Sequence, residues 1–89
     1  MKEIKVVIKN EYGLHARPSS LMANTASQFK SEIKVIKDDN EVNGKSIMNL
    51  LLLAAGKGSA LRITAEGADE ELAIVAMHEL IEVRKFDED

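Results

Sequence analysis

Cysteine is absent from the chain, and with it go a disulfide framework, a thiol nucleophile and a sulfur-ligated metal site. That absence suits a reducing compartment, and a cytoplasmic protein is expected. Tryptophan is missing too. Tyr12, Phe29 and Phe86 are the only aromatic residues, so a core has to be assembled from Ile, Val, Leu, Met and Ala. Long apolar runs are lacking as well: the longest, Leu50 to Ala55, is too short to span a bilayer. The opening Met-Lys-Glu-Ile-Lys alternates charge with apolar residues where a signal peptide needs a continuous apolar stretch. No membrane insertion is expected. The net charge of −3 argues against nucleic acid as a main partner, because a phosphate backbone demands a basic face. At 89 residues the chain holds one modest core and reads as a single domain over 1–89. Function must then be carried by a surface site rather than by a cleft between domains.

What is present is unevenly spread. From Tyr12 to Ser31 and again from Val42 to Ala65 there is no Asp or Glu, although an even scatter would put roughly seven acids there. Those stretches hold Arg17, Lys30, Lys45, Lys57 and Arg62, and a positive face built from them would suit an anionic ligand. The hydrophobic pattern gives the element order. Ile4, Val6 and Ile8 alternate with Lys5, Val7 and Lys9, the period of a half-buried strand over 2–9, which the Asn10 to Gly13 stretch breaks. After Pro18, Met22, Ala26 and Phe29 recur at three- and four-residue steps and predict an amphipathic helix from 16 to about 28. Ile33 and Val35 restart the period of two, Asp38-Asp39-Asn40 make a turn, and Val42 lies in a short return strand. A short apolar helix follows over 46–53, then a strand carrying Leu61, Ile63 and Ala65. Gly67-Ala68-Asp69 offers a turn and an N-cap for a last helix with Ala73, Met77, Leu80 and Ile81 on its inward stripe. The order β-α-β-β-α-β-α buries both kinds of apolar face only if the helices lie on one side of an antiparallel sheet, giving an α+β fold. Residues 86–89 are expected to form a loosely held acidic tail, able to interact with Arg17.

The stretch GLHARP, residues 13 to 18, carries the chemistry. Gly13 permits a turn that other residues resist, and Pro18 is pre-set for a first helical turn, so His15 falls at a helix N-terminus. There the first amides have no intrahelical partner and point outward with the positive end of the helix dipole, a good seat for an anion. An imidazole is largely uncharged near neutral pH, and its nitrogen is then a competent nucleophile toward a phosphoryl group. Arg17 adds a fixed positive fork for phosphoryl oxygens. Read by position alone, His15 is equally well a poor N-cap or a surface residue.

The context is more specific. GLHARP at 13–18, NGKSIMNLLLLAAGKGS at 43–59 and AEGADEE at 65–71, with a similar length and element order, resemble HPr, the histidine-containing phosphocarrier family of the bacterial phosphoenolpyruvate-dependent sugar phosphotransferase system. The resemblance covers nearly the whole chain. It implies an open-faced β-sandwich: a four-stranded antiparallel sheet covered on one face by three helices. It also implies that His15 takes phosphate on Nδ1 from phosphorylated Enzyme I and delivers it to an Enzyme IIA domain, with the amides of Ala16 and Arg17 cradling the group. Such a chain is an intermediate in a relay, without turnover of its own, without a cofactor, and expected as a monomer. Ile47, Met48 and Leu51 match the family's apolar docking patch, and Leu21 on the neighbouring helix can join it; core packing is the alternative for some of these.

Ser46 has two readings. GKS at 44–46 is no phosphate-binding P-loop, because that motif needs a glycine five residues before Gly44 and position 39 is Asp39. Before an apolar helical run, Ser46 is first an N-cap. It also matches the serine that HPr kinase/phosphorylase modifies in many family members, where phosphate would add nearly two negative charges beside Ile47 and Met48 and oppose docking of an acidic partner. An alternative function follows: a regulatory module switched at Ser46 and binding a transcriptional regulator. The nitrogen-related branch of the family, with the same chemistry, is another. His78 falls off the inward stripe of its helix, beside Glu79 and Glu82, with nothing to complete a metal site, and is read as a surface residue. Asn24, Ser27 and Asn49 are neutral where many relatives carry basic residues, so steering toward acidic partners is expected to be weaker.

Overall fold

Alternating sequences become strands when one face can be covered. In the computed structural model, which describes residues 1–88, this happens four times: β1 (Lys2–Val7), β2 (Glu32–Lys37), β3 (Asn40–Asn43) and β4 (Ala60–Glu66). They pair antiparallel in the order β1-β4-β2-β3, and the central strands β4 and β2 are the two with the most buried residues. Register keeps like with like: Ile4 faces Ile63, Val6 faces Leu61, Ile33 faces Ala65 and Val35 faces Ile63. The opposite parity faces solvent, where Glu3 pairs with Arg62 at 3.1 Å and Lys34 bridges Glu32 and Glu41 at 3.5 and 3.4 Å. Ile36 shares that parity and is buried among its neighbours without joining the core cluster.

Three helices cover the other face: α1 (Ala16–Ser27), α2 (Ile47–Leu52) and α3 (Glu70–His78). The predicted stripes are the ones that go inside. Met22 and Ala26 of α1, Leu50 of α2, and Ala73 and Met77 of α3 are buried in one cluster with Val6, Ile33, Val35, Leu61 and Ile63. The expected open-faced β-sandwich is therefore the fold observed. Ser46 caps α2, its Oγ accepting from the Asn49 amide at 3.2 Å and from Asn49 Nδ2 at 3.0 Å. Asp69 occupies the N-cap position of α3 without capping it. Its carboxylate instead accepts from the Lys30 amide at 2.8 Å, the Ser31 amide at 2.9 Å and Ser31 Oγ at 2.5 Å, tying the α1–β2 connection to the start of α3. These donors, the Ser31 hydroxyl first, hold the Asp69 carboxyl below its ordinary range.

The C-terminal segment differs from expectation. Beyond α3 the chain widens into a π turn over Glu79–Val83, closed by the Arg84 amide donating to the Glu79 carbonyl at 2.8 Å. Leu80 and Ile81 stay on the buried stripe through that turn. Residues 86–88 are not a loose tail. Phe86 is fully buried in the core cluster, and Arg84 forks onto Asp87 at 2.6 and 3.1 Å. The reason is the ring: an apolar surface of that size is worth covering, and the turn folds back to cover it. The last position of the expected tail, 89, lies outside the described residues.

Candidate functional site

The local backbone fixes where His15 stands. Gly13 takes φ +66, and a Cβ built there would lie 2.3 Å from the Ala55 carbonyl oxygen, so the position tolerates only glycine. The next amide, of Leu14, donates to that same carbonyl at 2.8 Å, while the Leu14 side chain is buried. Pro18 is buried in the first turn of α1. Between these anchors His15 becomes the N-cap residue in extended conformation, with its carbonyl accepting from the Ser19 amide at 3.0 Å and its side chain making no cap bond. The ring is therefore free to turn outward, and its side chain is 42% exposed.

Among the described residues, the amides of Ala16 and Arg17 have no hydrogen-bond acceptor, and Pro18 has no N–H. The first turn thus presents unpaired donors beside an exposed imidazole, the arrangement that seats an anion. Tyr12 stands edge-on to the ring at 6.2 Å between centroids. Nε2 of His15 lies 3.1 and 3.3 Å from the two carboxylate oxygens of Glu88; Nδ1 has no partner among the described residues. Glu88 is only 17% exposed. Its carboxyl is held below the ordinary range, chiefly by the hydrogen bond from Asn10, then by His15 and by the nearby charge of Arg17. Asp87 is lowered too, by the Arg84 fork first, with Arg17 adding. Arg17 is exposed and positioned to act on charges at this corner.

Two residues of the site escaped sequence reasoning. Asn10 is buried, and its Nδ2 donates to the Gly13 carbonyl at 2.8 Å and to Glu88 at 2.9 Å, while Oδ1 has no partner. It read as part of a turn, and nothing nearby in sequence marks its long-range partner. Glu88 lies in the acidic stretch that the sequence presents as a loose tail.

Of the expected docking residues, Ile47, Met48 and Leu51 are exposed, Met48 to 76%, and Leu52 beside them is exposed as well; Leu21 is half-buried against the core. The Leu14–Ala55 bond ties this helix's trailing loop to the His15 turn. The expectation of one positive face is corrected: Arg62 lies on the open side of the sheet paired with Glu3, and Lys45 Nζ donates to the Phe29 carbonyl at 2.7 Å. β4 alternation turns Arg62 away from the helices, and Lys45 is spent on closing a loop. His78 is exposed. No three metal-ligating side chains cluster among the described residues. A surface groove between β2–β3 and the start of α2 is lined by Lys30, Lys34, Val42, Asn43, Lys45 and Asn49, but by neither His15 nor Arg17. The candidate chemistry therefore sits on an open corner, not in a pocket.

Known proteins are similar to this chain. Residues 2–83 match the PTS-HPr family, described as the PTS HPr component phosphorylation site. The chain is 51% identical to phosphocarrier protein HPr of Neisseria meningitidis over 91% of both chains. It is 45% identical over 84% of its length to 21% of a multiphosphoryl transfer protein of Escherichia coli. The crystal structure of an HPr from Thermoanaerobacter tengcongensis superposes with a TM-score of 0.95 at 50% identity, covering 100% of this chain and 99% of that one. The chain belongs to the HPr family. It is a phosphocarrier of the phosphotransferase system, which passes phosphoryl groups between partner proteins. No helix among the described residues is long and apolar enough to cross a membrane.

Proposed function

We propose that His15 is the phosphoryl acceptor of this carrier, taking the group on Nδ1 from phosphorylated Enzyme I and passing it to an Enzyme IIA domain in the cytoplasm. One observation carries the reading: an exposed imidazole with Nδ1 unengaged stands at the start of α1, where the amides of Ala16 and Arg17 have no acceptor. In the transfer the Nδ1 lone pair forms an N–P bond while the bond from phosphorus to the donor breaks, its electron pair staying on the donor. The charge spread over the equatorial oxygens in the transition state meets amides that need no reorganisation to receive it. Arg17 adds a positive charge at the same corner. An open corner suits a carrier that two partners must reach in turn, as a monomer. The exposed apolar residues of α2, Ile47, Met48 and Leu51, with Leu21 at their margin, form the docking surface.

The test is incubation with Enzyme I and phosphoenolpyruvate. A phosphoryl group that is stable to alkali, labile to acid and lost in His15→Ala supports the reading; no uptake by the wild-type chain sinks it. A second reading concerns Ser46, whose half-buried hydroxyl caps α2 directly before exposed Ile47 and Met48. Phosphorylation there by an HPr kinase/phosphorylase would put charge at the edge of the docking surface and change which partners bind, a transcriptional regulator among them. An acid-stable phosphate lost in Ser46→Ala tests it.

A further inference from the structure

We propose that Glu88 is a positioning residue for this transfer: its carboxylate holds the Nε2–H of His15, so that the ring presents an unprotonated Nδ1 to the incoming phosphorus. The inference rests on the reading of His15 as acceptor and extends the site to a residue outside the matched span of 2–83. An ionised carboxylate only accepts hydrogen bonds. With its oxygens 3.1 and 3.3 Å from Nε2, that nitrogen must carry the proton, which leaves the lone pair of a neutral ring on Nδ1.

Glu88 is itself held. The buried Asn10 donates to it at 2.9 Å and, through the same nitrogen, to the Gly13 carbonyl at 2.8 Å, so one amide fixes both the turn before His15 and the carboxylate that faces its ring. The backbone is the independent observation. Lys85, Phe86 and Asp87 lie at φ 51, 56 and 58, three consecutive left-handed residues, none of them glycine. L-residues resist that conformation, and it persists only where the surroundings impose it. Here buried Phe86 and the Arg84–Asp87 fork impose it, and its outcome is to return the chain so that Glu88 meets His15.

When Nδ1 takes the phosphoryl group, the donor's bond to phosphorus breaks with its electron pair, no proton leaves His15, and the ring becomes a cation with its N–H still facing Glu88. A carboxylate in that position orients the ring and steadies the charge. Onward transfer reverses the same bonds.

The full chain, Glu88→Ala and Glu88→Gln are compared by two readouts: nitrogen-detected NMR of the His15 ring at a pH where it is neutral, and rapid-quench single-turnover phosphorylation by phospho-Enzyme I. The wild type is expected to show a slowly exchanging Nε2–H proton, lost in Glu88→Ala and kept in Glu88→Gln, whose amide oxygen still accepts. The phosphorylation rate is expected to fall about tenfold in Glu88→Ala, the low end for partners that orient a working imidazole, and by less in Glu88→Gln. An unchanged ring proton, or an alanine variant as fast as or faster than wild type, overturns the proposal; a faster one would make Glu88 a competitor for the phosphoryl seat. If the wild type takes up no phosphoryl group, the reading of His15 fails instead, and the ring proton still decides whether Glu88 holds Nε2.

Discussion

Replacing Phe86 with alanine sets the largest fully buried side chain of this protein against the most strained stretch of its backbone. Two limits bound the outcome. If Lys85–Asp87 keeps its left-handed turn, a cavity opens in the core and the loss is that of a buried Phe→Ala change, ~3–5 kcal/mol. If the turn unwinds, three left-handed residues relax and return ~1–2 kcal/mol each, which offsets most of that loss. The two quantities are of the same size, so without the ring the Arg84–Asp87 fork alone does not hold the turn, and its release is the cheaper response. Residual exposure of the core and loss of the Arg84–Asp87 fork then leave a global destabilisation of ~1–2 kcal/mol. For a domain of this length that lowers the midpoint of thermal unfolding by about 5–15 °C. Circular-dichroism melting reads the global change, and amide exchange of Asp87 and Glu88, bonded to the Arg84 and Lys85 carbonyls at 2.8 and 3.0 Å, reads the local one. Phe86→Leu should keep both near wild type. A full ~3–5 kcal/mol loss with those two amides still protected would refute the balance, since the turn would then stand without its anchor.

Further outcomes follow from single positions. Gly13→Ala should cost at least ~2 kcal/mol in urea titration and lower phosphoryl uptake, because the new Cβ meets the Ala55 carbonyl at 2.3 Å in a left-handed conformation. Lys85→Gly, at φ 51, should raise stability by ~0.5–1 kcal/mol in the same titration. Asp69 is held below its ordinary range in the folded chain, so its stabilising effect is complete above that range and disappears as pH falls through the lowered folded value. Acid titration followed by fluorescence-free probes such as circular dichroism should therefore show Asp69→Asn less stable than wild type at neutral pH, with the difference closing in acid. Ser46→Asp should leave stability within ~0.5 kcal/mol, since aspartate also caps a helix, yet weaken transfer to an acidic partner, measured as a rise in KM without a change in kcat.

Sheet and helices were legible because period decides them: Val6, Ile33, Val35, Leu61 and Ile63 alternate inward, and Met22, Ala26, Ala73 and Met77 recur on helical stripes, each a local pattern with a single way to be buried. His15 was legible for a related reason, since Gly13 and Pro18 flank it and set the helix start. What stayed hidden depends on partners far off in sequence. Asp69 looks like an N-cap and bonds Ser31, 38 residues away; Asn10 looks like a turn residue and bonds Glu88, 78 residues away. Phe86 carries no periodicity and stands among charges, so its burial becomes visible only once α3 and its π turn have brought it to the core. The assumption that acid-free stretches share a face failed at Arg62, because strand parity and not position along the chain decides the side.

A carrier that passes a group between partner proteins faces opposite demands: its reacting atom must be open, yet its geometry must not depend on whichever partner is present. Here openness and rigidity are assigned to different atoms. The ring projects into solvent, while the backbone beneath it is pinned by the Leu14–Ala55 bond, the Gly13 turn and buried Pro18, all within the matched span. Unpaired amides at the head of α1 supply field without needing to move. On the proposed reading, specific contact falls to the exposed apolar side chains of α2, whose connection to β4 is the stretch of chain that holds the Gly13 turn in place. On the proposed reading, a displacement of α2 on docking reaches Leu14, the residue next to His15, through the loop that follows the helix and the Leu14–Ala55 bond.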